Sequence, residues 1–154
     1  MKILVKQFND DAGLTILPQG DWFDLNSSED VTIKSGEIKL IPLGVAMRMP
    51  FGMEALLTVR SSTPKKYKIV QVNCPGIIDN SYNGDGDQWM LQVQAFEDTT
   101  IKAGTRLAQF RFQLSQRAGF PEKLCWLLNG KPSFEFVETL SDEDRGGFGK
   151  GTGE

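Results

Sequence analysis

One short segment of the sequence combines a carboxylate and an aromatic ring with turn-forming residues. Residues 76–84 read GIIDNSYNG, so that two apolar residues lead into Asp79 and Tyr82 follows three positions later. A carboxylate can act as a general base toward water, and an aromatic ring can form the wall of a substrate pocket. The segment therefore indicates a hairpin pocket in which Asp79 orients a water molecule. An aspartate that only caps a turn gives the same pattern.

Two further segments carry groups that suit phosphate oxygens. Arg60, Ser61 and Ser62 follow an apolar, strand-like run, and a guanidinium with two hydroxyls can donate several hydrogen bonds to an anion. Gln109, which follows the turn at residues 103–105, could donate its side-chain amide. Solvated strand ends show the same residue types, so each segment alone leaves both interpretations open.

The C-terminal segment is rich in glycine. Residues 145–153 read RGGFGKGTG, in which glycine amides can surround an anion while Arg145 and Lys150 add positive charge. Glycine loses the most backbone entropy on ordering, so we expect this segment to be flexible without a ligand. Phe148 stands among the glycines and suggests a lid that stacks on a flat group; the alternative is an unstructured terminus.

The composition excludes several classes of function. The chain of 154 residues contains no histidine, which removes Ser-His nucleophiles and most zinc sites. A net charge of −3 disfavours direct binding to nucleic acid or to an anionic membrane. No apolar stretch is long enough to span a membrane, no signal peptide is evident, and the two cysteines suit reduced thiols, so a cytoplasmic location is expected.

The elements that must position these groups are mostly strands. Apolar and polar residues alternate with a period of two, and turn residues separate the runs. The predicted strands are 2–8, 31–33, 37–41, 45–49, 56–59, 67–72, 89–96, 108–114 and 134–137. Many short strands predict an all-β fold, a jelly-roll-like barrel or sandwich.

One short helix is predicted, from Pro121 to the residue before Gly130. Leu124, Leu127 and Leu128 share one face, which we expect to pack on the sheet; binding of a partner is the alternative.

The order and spacing of these segments resemble the trimeric dUTPase family over nearly the whole chain. The five family motifs correspond in turn to Asp24-Leu25, residues 60–62, Asn73 with residues 76–84, residues 104–109, and the tail around Phe148. The resemblance implies hydrolysis of dUTP to dUMP and pyrophosphate, which limits uracil incorporation into DNA. It also implies a jelly-roll homotrimer with active sites shared between subunits.

The resemblance further implies a role for each matching residue. Asp79 would activate the water that attacks the α-phosphorus, and Tyr82 would pack on deoxyribose and exclude a 2′-hydroxyl. The residues expected around uracil are Asn73, Gly76, Ile77, Ile78, Met90 and Phe148. Those expected on the phosphates are Arg60, Ser61, Ser62, Gln109, Arg145 and Lys150. One Mg²⁺ would bridge the phosphates, with Asp24 in its outer shell through water.

This sequence differs from compact family members in two segments. The run at residues 83–88 is longer than usual, and residues 115–133 form an insertion, which could contact a protein partner. Such segments resemble dUTPases of bacteria and their phages. We expect residues 1–143 to form the β-domain and residues 144–154 to form a flexible lid over the active site.

Two other functions fit the same scaffold. A dCTP deaminase resembles a dUTPase in fold and motifs, but it needs a glutamate on the strand after the hairpin, where this chain has Gln92, which cannot transfer protons. A regulatory binding protein without enzymatic activity is the second alternative. Asp79, Tyr82 and the intact tail favour the enzyme.

Overall fold

A computed structural model describes residues 1–10 and 13–140. In these residues the helices are α1 (Thr63–Tyr67) and α2 (Phe120–Asn129). The strands are β1 (Lys2–Gln7), β2 (Leu14–Thr15), β3 (Phe23–Asn26), β4 (Val31–Ile33), β5 (Ile38–Pro42), β6 (Val45–Arg48), β7 (Met53–Val59), β8 (Ile69–Gln71), β9 (Gly76–Ile78), β10 (Met90–Ala95), β11 (Thr99–Ile101), β12 (Arg106–Leu114) and β13 (Ser133–Phe136). Neither helix in this part of the chain is long and apolar enough to cross a membrane.

The strands form small, mostly antiparallel sheets that enclose one core. The largest sheet has the order β2-β3-β12-β7-β9, and the others are β5-β10-β8, β13-β1-β6 and β11-β4. Only β1 and β13 pair in parallel among the described strands. This arrangement confirms the predicted all-β, jelly-roll class.

Aromatic residues of β12 fill the centre of the core. Phe110 is fully buried, and its ring centroid lies 5.0 Å from that of Trp89 and 5.3 Å from those of Phe23 and Phe112. Arg111, between the two phenylalanines, is exposed. Alternate residues of β12 point to opposite faces of the sheet. Only one of these faces is covered by the core, and the phenylalanines lie on it.

Helix α1 is an element that the sequence analysis did not predict. It takes Tyr67 out of the predicted strand 67–72, of which only β8 remains. Pro64 lies in its first turn, where a missing N–H costs no hydrogen bond, and Lys68 ends it with a φ of 55°. The prediction of a single helix is therefore wrong. Helix α1 was missed because five residues are too few to show a helical period.

Helix α2 is present as predicted, but its apolar face is not covered. The helix ends at Asn129, before Gly130, and Trp126 packs against the core. The leucines are expected to pack on the sheet, yet Leu127 is 80% exposed and Leu128 70% exposed. Leu124 and Phe120 are also exposed. The amphipathic period correctly indicated an apolar face on the helix, but no other part of the described chain covers that face.

We expect Phe110→Ala to lower the free energy of unfolding by about 3–5 kcal/mol, because the large cavity cannot close among packed rings. Urea denaturation at a fixed protein concentration measures this loss. Phe120→Ala is the control, since its ring is 77% exposed and its loss should stay within about 0.5 kcal/mol. Equal losses for both variants would contradict the assignment of the core.

Candidate active site

Three neighbouring strands bring the predicted phosphate-binding groups together. In the register, Gln109 on β12 lies opposite Asp24 on β3 and Thr58 on β7. Arg60 follows β7 directly, and its Nε lies 3.1 Å from Oδ2 of Asp24. The Asp24 carboxylate is 3% exposed, so this ion pair is largely removed from solvent. Residues that correspond to the first, second and fourth family motifs therefore form one cluster.

The turn that carries Ser61 and Ser62 is fixed by β12. The carbonyl of Leu107 accepts hydrogen bonds from Arg60 N–H at 3.0 Å and from the buried Thr63 hydroxyl at 2.8 Å. Both serines lie between these anchored residues and are exposed. Their hydroxyls are thus presented to solvent beside Arg60, as a phosphate-binding turn requires.

Arg106 also belongs to this cluster, although the sequence analysis did not select it. Its Nη1 donates to the same Asp24 oxygen at 3.5 Å. The two residues are 82 positions apart, and only the pairing of β3 with β12 brings them together. The available sequence signal was the position of Arg106 in the turn that leads to Gln109. One buried carboxylate thereby orients two guanidinium groups.

The predicted uracil-binding segment is supported by Gln71, a second residue that the sequence analysis did not select. Gly76, the first residue of β9, is also the last position toward the end of β7 at which the two strands pair, and it lies opposite Leu57. Beyond that point the Gln71 side chain lies against β7: its Nε2 donates to Leu57 O at 3.1 Å and its Oε1 accepts from Val59 N–H at 3.2 Å. The side-chain amide thus occupies the position that a further peptide unit of β9 would take.

Gln71 also holds Asn73. Its Nε2 lies 3.4 Å from both the backbone oxygen and Oδ1 of Asn73, which is itself exposed. A Cβ atom on Gly76 would lie only 3.1 Å from that Nε2, so glycine leaves the space that Gln71 needs. The buried glutamine therefore positions both ends of the segment that is expected to read the base.

Asp79 lies in a turn that its own side chain caps. Oδ1 of Asp79 accepts a hydrogen bond from Ser81 N–H at 2.7 Å, and its backbone oxygen accepts one from Tyr82 N–H at 3.0 Å. Asn80 ties the turn to the neighbouring loop by donating to the carbonyls of Met49 and Pro50, both at 2.9 Å. The turn-cap interpretation is confirmed, and the role as a general base stays a prediction that this geometry permits.

The Asp79 carboxylate is exposed and borders a cleft of about 460 Å³. The cleft is also lined by Glu54 and by residues of the insertion, among them Arg117. Solvent therefore has direct access to the carboxylate in the single chain.

Tyr82 is half-buried, and its hydroxyl donates to the carbonyl of Gln88 at 3.0 Å. The run at residues 83–88 is thus closed by this contact, which joins its last residue to the residue before it. Met90 follows on β10, where it pairs with Pro42. The tyrosine ring is fixed by the inserted loop, whereas Met90 belongs to a different sheet from β9.

The predicted residues of the described chain lie in two groups, one around Arg60 and one around Asp79. Asp79 follows Ile78, which pairs with Ala55 near the start of β7, whereas Arg60 follows the end of β7. This strand has seven residues, and at about 3.3 Å per residue it separates the two groups by roughly 20 Å. A triphosphate bound at Arg60 would have to span much of this distance to present its α-phosphorus to Asp79 of the same chain.

Three of the predicted residues, Arg145, Phe148 and Lys150, lie outside the described residues. In the described part of the chain, no group of three or more acidic or cysteine side chains is placed to bind a metal ion.

Comparison with known proteins gives a consistent result. The dUTPase family model matches residues 17–153. The SPbeta prophage-derived deoxyuridine 5'-triphosphate nucleotidohydrolase of Bacillus subtilis is 40% identical, over 97% of this chain and 96% of the relative. The deoxyuridine 5'-triphosphate nucleotidohydrolase of Nautilia profundicola is 35% identical, over 99% and 98% of the two chains.

Solved structures agree with these relatives. The dUTPase of Streptococcus mutans is similar with a TM-score of 0.69 and 25% identity, covering 75% of this chain and 98% of that one. A mutant dUTPase from phage phi11 of S. aureus, described as revealing how a structural Mg(II) ion is coordinated, has a TM-score of 0.65 and 20% identity, and covers 77% and 94%.

We expect Gln71→Leu to raise the KM for the substrate about tenfold with a smaller change in kcat, because Asn73 loses its support. Leu57 O and Val59 N–H lose their partner, so the free energy of unfolding should also fall by about 1–3 kcal/mol. Gln94→Leu is the control, because the Gln94 amide bonds only an exposed carbonyl of Gly36. If the Gln71 variant is destabilised but its KM is unchanged, the glutamine has no role in substrate binding.

Proposed function

This chain belongs to the dUTPase family, and we propose that it hydrolyses dUTP to dUMP and pyrophosphate in active sites shared between copies of the chain. The observation that carries the proposal is the separation of two complementary half-sites. One half holds the cationic cluster at Asp24, Arg60 and Arg106, and the other holds Asp79 in its capped turn.

Asp79 is proposed as the general base. One of its oxygens is used by Ser81 N–H, which fixes the orientation of the carboxylate. The exposed carboxylate can accept a proton from a water molecule as that water attacks the α-phosphorus. Phosphoryl transfer needs a positioned nucleophile and charge neutralisation more than covalent catalysis, which suits a site without histidine.

The phosphates are proposed to bind at Arg60, Ser61, Ser62 and Gln109. A guanidinium has five N–H donors, so Arg60 can contact Asp24 and still donate to phosphate oxygens. A bound Mg²⁺ would neutralise phosphate charge. Asp24 is the buried carboxylate beside these arginines, and this placement supports its proposed contact with the ion through water.

A homotrimer is proposed as the assembly, on the basis of the family. The roughly 20 Å that β7 places between Asp79 and Arg60 supports sharing of the site, since a second copy can bring its Arg60 to the first copy's Asp79. Uracil would contact Asn73 and the backbone of β9, with Tyr82 against the sugar. A cytoplasmic location is also proposed, supported by two free, exposed cysteines.

Residues 144–154 are proposed as a lid over the bound nucleotide. Phe148 would stack on uracil while Arg145 and Lys150 contact phosphate, and closure would exclude water from the reacting groups. Closure has to offset the backbone entropy of the glycines, so these contacts must form only with a nucleotide in place.

A protein partner at residues 115–133 is a second proposal. The exposed side chains of Phe120, Leu124, Leu127 and Leu128 support it, because a contiguous apolar surface of this kind commonly marks a contact. The dCTP deaminase alternative has Gln92 against it and no support from the nucleotidohydrolase relatives.

We expect Asp79→Asn to lower hydrolysis by about 10²–10⁴ while the fold is retained, because asparagine can still accept the Ser81 N–H bond. Pyrophosphate release measures the loss, and the wild-type chain should release it from dUTP far faster than from dCTP, dTTP or UTP. Asp98→Asn, in an exposed ion pair with Lys34, is the matched control. Near-normal turnover of the Asp79 variant would exclude this base.

We expect two inactive variants to restore activity when they are unfolded and refolded together. Asp79→Asn and Arg60→Gln damage different halves, so about a quarter of the sites in randomly mixed assemblies should combine one intact half from each chain. Each variant refolded alone is the control. A mixture as inactive as its components would place the whole site in one chain.

We expect deletion of residues 144–154 to leave folding and assembly intact and to reduce kcat/KM by about 10²-fold or more, since the lid contacts are lost together. Light scattering checks the assembly, and pyrophosphate release checks the activity. Full activity of the shortened chain would contradict the lid.

A further inference from the structure

The run at residues 83–88 forms a turn that one buried carboxylate closes. Asp87 is fully buried, and its Oδ2 accepts a hydrogen bond from Gly84 N–H at 2.7 Å. Its own N–H donates to Gly84 O at 3.2 Å, so the two residues are joined twice. Gln88 N–H donates to Gly86 O at 2.8 Å. The run is therefore tied together by its own hydrogen bonds.

Both ends of this turn are attached to the rest of the fold. At its start, Nδ2 of Asn83 donates to Asn80 O at 2.8 Å, and Asn80 in turn is bound to the neighbouring loop. Just beyond its end, Trp89 is fully buried, and its N–H donates to Val45 O at 2.8 Å. The position of the Gln88 carbonyl is thus set by the turn on one side and by the core on the other.

Asp87 is an unfavourable residue to bury in this place. Its Oδ1 is buried and has no hydrogen-bond partner among the described residues. A buried carboxylate oxygen without a partner lowers stability, and groups of this kind in native proteins commonly occur at functional sites. The cost indicates that Asp87 has a role beyond stability.

Tyr82 connects this turn to the proposed site. Its hydroxyl donates to Gln88 O at 3.0 Å, and its N–H donates to Asp79 O at 3.0 Å. The tyrosine is therefore held both at its backbone and at the tip of its ring. A ring held only at its backbone can tilt about its side-chain bonds. A wall that excludes one extra hydroxyl has to be fixed within about 0.5 Å, because its specificity comes from a clash.

We infer that Asp87 is a positioning residue for the choice of sugar: it closes the turn at residues 83–88, the turn places the Gln88 carbonyl, and that carbonyl holds the Tyr82 ring against the 2′ position. This inference rests on the proposed function and on the proposed contact of Tyr82 with deoxyribose. It assigns a role to the inserted run. Asp87 acts in this role only through the tyrosine.

The test is the ratio of kcat/KM for dUTP to kcat/KM for UTP, because a general loss of folded protein lowers both values and leaves their ratio unchanged. Asp87→Ala should lower this ratio about three- to tenfold, since the ring can then yield to a 2′-hydroxyl. Tyr82→Phe, which loses the bond to Gln88 O, should lower the ratio by a similar factor. In the Tyr82→Phe chain, Asp87→Ala should change the ratio no further, because the link between the two residues is already broken.

Three further variants complete the design. Asp87→Asn keeps an oxygen that can accept the Gly84 N–H bond, and it should retain most of the preference for dUTP. Asp87→Leu fills the same space without an acceptor, and it is the second variant if Asp87→Ala folds poorly. Asp98→Ala is the matched control, because Asp98 also accepts a backbone N–H, from Ser35, but lies in an exposed ion pair elsewhere; its ratio should equal that of the wild type.

The other outcomes contradict the inference in distinguishable ways. An unchanged ratio in the Asp87→Ala, Asp87→Leu or Tyr82→Phe chain would overturn it, and so would an effect of Asp87→Ala that persists in the Tyr82→Phe chain. If the wild-type chain hydrolyses dUTP but Tyr82→Ala leaves the ratio unchanged, the inference fails while the proposed hydrolysis stands. If the wild-type chain hydrolyses neither nucleotide, the proposed function fails, and the inference fails with it.

Discussion

Strand β7 is hydrogen-bonded on both edges, and the arrangement of the site depends on this double pairing. On one edge β12 pairs with all seven residues from Met53 to Val59, and on the other β9 pairs only with the middle three, Ala55, Leu56 and Leu57. The strand cannot slip by one residue without turning its buried side chains outward. Its length therefore acts as a fixed spacer between Asp79 and the arginine cluster, and under the proposed shared site another chain would close the gap.

The cluster at the far end of β7 shows how charge is prepared before substrate arrives. Two arginines close together repel each other, and the buried Asp24 carboxylate between them compensates this repulsion. The carboxylate also restricts the guanidinium rotamers, so that less entropy would be lost in the proposed binding of phosphate. Asp24 is thus both a neutralising group and a support for Arg60.

Local patterns were enough to predict much of the fold and to select candidates for the site. The alternation along residues 108–114 predicted β12, since one face is buried and the other is wet. Asp79 and Arg60 were selected as candidates because each stands in a short segment whose chemistry is local. Helix α1 and strands β2, β3, β9 and β11 escaped prediction. Each has two to five residues, which is too few for a reliable period, although β4, with three residues, was predicted.

The other misses depend on contacts between distant parts of the chain. Arg106 meets Asp24 only through the register of β3 and β12, and the role of Gln71 arises because its side chain replaces a missing strand residue. A periodic apolar face also predicts that a helix packs against another surface, but it does not identify that surface. The exposed leucines of α2 follow from that limit.

The bond between Val59 N–H and Gln71 makes a backbone proton depend on a side chain. In an unbroken ladder, that proton would exchange with deuterated solvent only when the strands separate. Here it is protected by the same side-chain amide that contacts Asn73, so movement of the loop at Asn73 exposes it to solvent without unfolding of the sheet. The exchange rate of this single proton therefore reports the rigidity of the loop, and it gives a spectroscopic view of the pocket before any nucleotide is added.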